Sequence, residues 1–290
     1  MSNIYAAAAS AETDIKVDKY SIRIELTGNI TQSDANEFEE HRGEFNKKGI
    51  SVHLNSEGGD AFAAMRIGKI VREVWGNTDI LYAKCYSACA LVYISGVFRV
   101  SGGGQLGLHR PFFSEQPQSD AEIEKNYPTV LAILHSYVTR MNITDEFYST
   151  MVNTPPEKMA VYSKDALERL VPSSDPVIDE ILVSKQARVY GLTTAEYRRR
   201  DQLVEARCGS IGSGTYEEHL DCSEPIMWGL EKAESNRRAV LAKKACWATP
   251  TQQLSAAESA EQENTPVRQK ADLPFLVKRR ECYSKIMTAR

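Results

Sequence analysis

The sequence contains no apolar run approaching the ~20 residues that a membrane-spanning helix requires, so a transmembrane helix is excluded. It has no surplus of positive charge either: 35 Lys+Arg face 39 Asp+Glu, for a formal net charge of −4. Electrostatic nucleic-acid binding wants a strongly basic face, so a nucleic-acid partner is not expected. The first residues lack the basic and apolar regions of an intact signal peptide. Residues 5–11 nevertheless look like the small-residue region around a signal cleavage site, which points to a chain trimmed of an export signal, with Met1 added. No internal repeat is evident, and neither a metal nor a cofactor is expected.

At ~100–200 residues per domain, a chain of 290 residues makes one large domain or a domain with an appendage. With 42% hydrophobic residues it can bury a core. Charge and cysteine are unevenly spread. Residues 1–190 carry 19 Lys/Arg and 25 Asp/Glu, whereas 191–290 carry 16 and 14. Two of the six cysteines lie in the first segment; Cys208, Cys222, Cys246 and Cys282 lie in the second. That second segment is polar and weakly patterned, so it buries little apolar area and gains from covalent staples. Disulfides favour an exported, periplasmic setting; six reduced thiols in a cytoplasmic protein are the alternative. Of three possible pairings, Cys208 with Cys222 and Cys246 with Cys282 is preferred.

Residues 20–27 alternate apolar and polar as a strand does, and Gly28-Asn29 ends them. A helix is expected over 33–45, capped by Ser33 with Glu37 a turn later. A second strand spans 50–54, and after Gly58-Gly59 a helix capped by Asp60 buries Ile67, Ile70, Val71 and Val74. A strand over 78–83, a helix over 88–95 and short strands near 98–100 and 105–108 follow. This alternation predicts an α/β fold with β-α-β crossovers and a mainly parallel sheet. Helices are expected over 120–141, 144–152, 163–170 and 176–190, then over 194–206, 226–246 and 274–288, with 248–266 a flexible loop. The domains are thus an N-terminal segment 1–19, a core 20–190 and a mostly helical, disulfide-stapled extension 191–290.

Three short segments carry candidate chemistry. Asn55-Ser56-Glu57-Gly58-Gly59-Asp60 joins a strand to a helix, and its glycines free backbone N–H groups for an oxyanion or phosphate; a plain tight turn is the alternative. In Cys85-Tyr86-Ser87-Ala88-Cys89 a serine sits at a helix start, where the dipole favours developing negative charge; a simple N-cap serine is the alternative. Leu106-Gly107-Leu108-His109-Arg110-Pro111 ends a strand in a histidine, which can take a serine proton near neutral pH or be purely structural. Cys85 and Cys89 read first as plain buried thiols, with a disulfide or a pair of metal ligands as alternatives. Either could replace Ser87 as nucleophile, but both lie off the apex of the turn.

Together these segments resemble the Clp protease proteolytic-subunit family of the Clp/crotonase fold over residues 20–190, and more narrowly its exported bacterial Clp-like members. The resemblance implies Ser87 as nucleophile, His109 as general base and an oxyanion hole from the amides of Gly59 and Ala88, with Gly58 permitting the turn. It also implies a triad aspartate near 153–159, where none stands. Glu157 is the nearest carboxylate; Asp145 comes early and Asp165 late, so the third member is Glu157, a backbone carbonyl, or absent.

The leading function is a serine peptidase acting through an acyl-enzyme on peptides or unfolded segments, self-associating as the resemblance implies. Export argues against an ATP-driven unfoldase partner. A catalytically silent Clp-fold assembly protein is the second reading, and a crotonase-like acyl-thioester enzyme the third. The arginines Arg198–Arg200 and Arg279-Arg280 read as solvated faces.

Overall fold

Period-two alternation places Ile22, Ile24 and Leu26 on one buried face of a strand, and Ile50, Val52 and Leu54 on that of the next. The computed structural model describes residues 12–17, 21–112, 120–209, 215–246, 256–270 and 272–289. Residues 5–11, and 248–255 of the expected loop, lie outside them. In chain order the elements are β1 (Glu12–Val17), β2 (Ile22–Ile30), α1 (Gln32–Lys48), β3 (Ile50–Gly59), α2 (Ala61–Glu73), β4 (Asn77–Asp79), β5 (Lys84–Tyr86) and α3 (Ala88–Tyr93). They continue as β6 (Arg99–Val100), β7 (Gln105–Leu108), α4 (Asp120–Arg140), α5 (Asp145–Asn153), β8 (Ala160–Ser163), α6 (Lys164–Leu170) and α7 (Pro176–Tyr190). The chain ends in α8 (Thr194–Cys208), α9 (Tyr216–Trp228), α10 (Lys232–Cys246), α11 (Ala256–Asn264), α12 (Val267–Lys270) and α13 (Pro274–Thr288).

The fold is mixed α/β with a mainly parallel sheet. Its strand order is β1-β2-β3-β5-β7-β8, with β4 pairing β3 and β6. Among the described strands, only the outer pairs β1/β2 and β7/β8 are antiparallel. β3 forks the sheet: its first half pairs β4 from Ser51 to His53, and its end pairs β5 at Ser56.

Several local expectations are corrected. Thr31, not Ser33, caps α1, because Thr31 and Asp34 form a reciprocal capping box. The strand expected over 78–83 stops at Asp79, where the chain turns through Tyr82 at φ 54° before β5 starts. The helix expected over 226–246 is broken at Gly229, which takes the left-handed conformation. The expected loop 248–266 contains helix α11.

The chain divides into two compact units: Met1–Pro176 with Pro266–Arg268, and Val177–Thr265 with Gln269–Arg290. The first encloses a single large core built on β2, β3, α2 and α3. At its rim stand a buried arginine, Arg99, and a half-buried one, Arg72. Arg99, 2% exposed, donates to the carbonyls of Ile94, Met141 and Pro172, and Arg72 donates to Asp175 and again to those of Ile94 and Met141. Burial, then the neighbouring Arg72, pushes the Arg99 guanidinium down to about 10.

The second unit has a small core around Trp228, Ala239 and Met287 and two disulfides, Cys208–Cys222 and Cys246–Cys282. Bonds from Arg199 and Arg200 hold Glu196 down to about 2, and those from Arg237 and Arg238 do the same for Glu234.

Two outcomes follow. Arg99→Met leaves the carbonyl of Pro172 without its donor and is expected to cost ~1–3 kcal/mol, read as faster hydrogen exchange in α3 and α4. Because Glu196 and Glu234 are depressed from 4.5 to about 2, their bonds contribute above pH 4.5 and are lost as pH falls toward 2. Exchange in α8 and α10 should therefore accelerate across that window, and the paired variant Glu196→Gln, Glu234→Gln should abolish the step. Both carboxylates reach solvent, so added salt should shrink it.

Candidate functional site

The inward phase of β3 continues past Leu54 to Ser56 and Gly58, so a hydroxyl and a side-chain-free backbone reach the core at the strand end. Ser56 pairs in register with Cys85, Cys85 with Leu106, and Leu106 with Tyr162, which aligns the ends of β3, β5, β7 and β8. The Ser56 hydroxyl ties the end of β3 to β2, donating to the carbonyl of Gly28, and accepts from the N–H of Gly58 at 3.0 Å.

Ser87 follows β5 directly and stands at φ 53°, a conformation that costs a non-glycine residue ~1–3 kcal/mol. It stands at the N-cap position of α3 but makes no capping hydrogen bond with its side chain. Its N–H donates to the carbonyl of Gly107 at 2.8 Å, which pins the turn to β7. Gly58 lies against it: a Cβ there would fall 2.8 Å from Ser87 Cβ and 3.3 Å from Oγ. Gly59 faces the other way, where a Cβ would meet the Ile30 carbonyl at 2.3 Å. Ala88 opens α3, so its N–H has no acceptor within the helix.

Cys85 and Cys89 are joined in a disulfide, which corrects the expectation of plain thiols and removes both as nucleophiles. The reason is geometric. The helix begins at Ala88 rather than Cys85, and the sharp turn at Ser87 brings the two Cα atoms to 5.1 Å, well inside disulfide range.

His109, 7% exposed, sits just beyond β7. Its Nδ1 bonds to the carbonyl of Arg110 at 2.9 Å; a carbonyl only accepts, so Nδ1 donates, and in the neutral imidazole that tautomer leaves the lone pair on Nε2. The N–H of Arg110 is held in turn by the Thr154 carbonyl at 2.9 Å. Glu157 is exposed, and among the described residues no carboxylate bonds to His109 and no hydrogen bond joins it to Ser87 Oγ. Asp145 is engaged with His135 at 3.4 Å. Exposed Phe112, 5.7 Å from the His109 ring between centroids, and exposed Met159, packed over Gly107 beside Tyr86, give the neighbourhood apolar walls.

Sequence reasoning missed the hydroxyl bridge of Ser56, although the phase of β3 was a usable signal. It also missed the carbonyl of Arg110, for which no signal exists, since every residue has one. Among the described residues, no group of three or more His, Cys, Asp or Glu is arranged to hold a metal ion.

Burial separates the staples: Cys85 and Cys89 are fully buried, whereas Cys208, Cys222, Cys246 and Cys282 are half-buried. Under limited reduction and alkylation of the native chain, the last four are expected to label first, as read by peptide mass mapping. Early labelling of Cys85 would contradict the burial argument.

No family profile matches the chain, and no curated protein does. Among solved structures the chain is similar to the 1510-N membrane-bound stomatin-specific protease, solved as a point mutant, with a TM-score of 0.41 and 15% identity over 56% of this chain and 82% of that one.

Proposed function

We propose that the chain is a serine hydrolase of the Clp-like type that cleaves peptide or other acyl bonds at Ser87. The observation that carries this reading is the conformation of Ser87. It is a non-glycine residue at φ 53°, placed at a helix start against a bare glycine, and among the described residues its hydroxyl makes no hydrogen bond. Such strain persists only where the surroundings over-determine it, and it clusters at reactive sites.

In this reading Ser87 Oγ attacks the acyl carbon while its proton passes to His109 Nε2, the nitrogen left basic by the Nδ1 bond to Arg110. The carbonyl oxygen becomes an oxyanion held by the amides of Gly59 and Ala88; the Gly58 amide is committed to Ser56. His109 then returns the proton to the leaving group; water, deprotonated by the same nitrogen, attacks the acyl carbon, the Oγ–acyl bond breaks, and the proton passes back to Ser87 Oγ. The Arg110 carbonyl replaces the aspartate as orienter. It fixes the tautomer without adding a charge to stabilise the imidazolium, so slow turnover is expected; loss of a triad carboxylate costs as much as ~10⁴ in rate. The three disulfides support an oxidising, exported setting such as the periplasm.

The absence of a Ser87–His109 hydrogen bond among the described residues favours one second reading, a catalytically silent assembly protein. A fluorophosphonate probe separates the two. The native chain is expected to label, Ser87→Ala to lose labelling, and His109→Ala to slow it by ~10²–10⁴-fold. A folded native chain that does not label would favour the silent scaffold.

A further inference from the structure

The second unit contains none of the candidate catalytic residues, yet its charged residues are not scattered. Offsetting the chain by 38 residues lays 191–208 over 229–246, and both read Gly-Leu-x-x-Ala-Glu-x-x-Arg-Arg-x-x-Leu-x-x-x-x-Cys, eight identities in 18 positions. A second pattern, Cys-x-x-x-Ile-Met, recurs at 222–227 and 282–287. The expectation of a chain without internal repeats is therefore corrected. The recurrence escapes a search at fixed period because its two halves are joined by unequal spans, the cysteines standing 14 positions apart in one copy and 36 in the other.

The bonds recur with the letters. Gly191 and Gly229 follow helices at φ 68° and 67°, and the N–H groups of Leu192 and Leu230 donate back to the carbonyls of Ala187 and Pro225, each at 2.9 Å. Glu196 accepts from Arg199 and Arg200, and Glu234 from Arg237 and Arg238. The second arginine of each pair then reaches across to the end of the partner helix: Arg200 Nη1 to the Met227 carbonyl at 2.6 Å, and Arg238 Nη1 to the Met287 carbonyl at 2.9 Å. A cation there meets unsatisfied carbonyls and the negative end of the helix dipole. The disulfides cross the same helix pairs, with Cα–Cα separations of 5.8 and 5.7 Å. Tyr190 and Trp228, which precede the matched glycines, pack in a tilted contact with ring centroids 4.6 Å apart.

We infer that the second unit is a short helical-repeat array, two copies of one module in which a helix pair is fastened by an arginine clasp and a disulfide. The copies are α8 with α9 and α10 with α13. Each module owns both of its fasteners and adjoins the next through the exit helix, the arrangement in which stability is a sum of local and nearest-neighbour contributions. Architectures of this kind present extended surfaces and need no catalytic group, which separates the role of this unit from the chemistry at Ser87.

Equivalence is tested by transplanting the sequence of 229–246 into positions 191–208 of the full oxidised chain. The transplanted cysteine is expected to pair with Cys222, and amide exchange in α9 to stay within about threefold of the parent. A scrambled insert that keeps only the cysteine should lose that protection; a transplant that mispairs, or behaves like the scramble, overturns the inference. Arg200→Gln and Arg238→Gln give an independent readout. Each is expected to accelerate exchange mainly in its own helix pair, whereas equal loosening of both pairs by either variant would show one undivided core and overturn it.

Discussion

Two carbonyl oxygens, those of Ile94 and Met141, each accept hydrogen bonds from both Arg72 and Arg99, and much of the first unit hangs on that crossing. Ile94 ends α3 and Met141 follows α4, so one pair of guanidiniums closes two helix ends at once. The reach extends to Asp175 and to the carbonyl of Pro172, which ties down the chain just before α7. A helix of only six residues, as α3 is, has no stability of its own in water. It exists because every one of its residues is buried and because its far end is held by these cations. Removing a buried charge from such a network also strands the carbonyls it serves, so the network resists piecemeal change.

What α3 secures at its other end is Ser87. Three constraints meet there: the bond to Gly107, the bare face of Gly58 and the covalent link between Cys85 and Cys89. Each comes from a different element, namely β7, β3 and the turn itself. The fork of β3 makes the convergence possible, because the strand leaves β4 midway and delivers its last residues to β5 instead. A strained serine is therefore the product of a sheet that splits.

Much of this was legible in the residues. Alternation announces β2 and β3, the apolar stripe of α2 announces the helix, and Gly58-Gly59, Ser87 and His109 stand out as motifs in the sequence itself. β8 was not legible, because Ala160–Ser163 is short and half-buried and becomes a strand only by pairing with β7. The split of the strand expected over 78–83 was hidden too, since its turn depends on the close approach of Gly104 to the Ile80 carbonyl, a contact remote in sequence. The orienter of His109 is a main-chain atom and leaves no trace in side-chain identity. The fate of Cys85 and Cys89 depended on where a helix begins, a matter of three residues.

The unequal spans of the two stapled hairpins have a thermodynamic meaning. A bridge constrains the unfolded chain in proportion to the logarithm of the span it closes, so closing 36 residues rather than 14 changes that entropic contribution by only ~1 kcal/mol. Once clasp and bridge fix the geometry of the helices, the length of what runs between them is nearly without consequence for folding. The longer span between Cys246 and Cys282, which carries α11 and α12, thus closes with nearly the same entropic contribution as the shorter one.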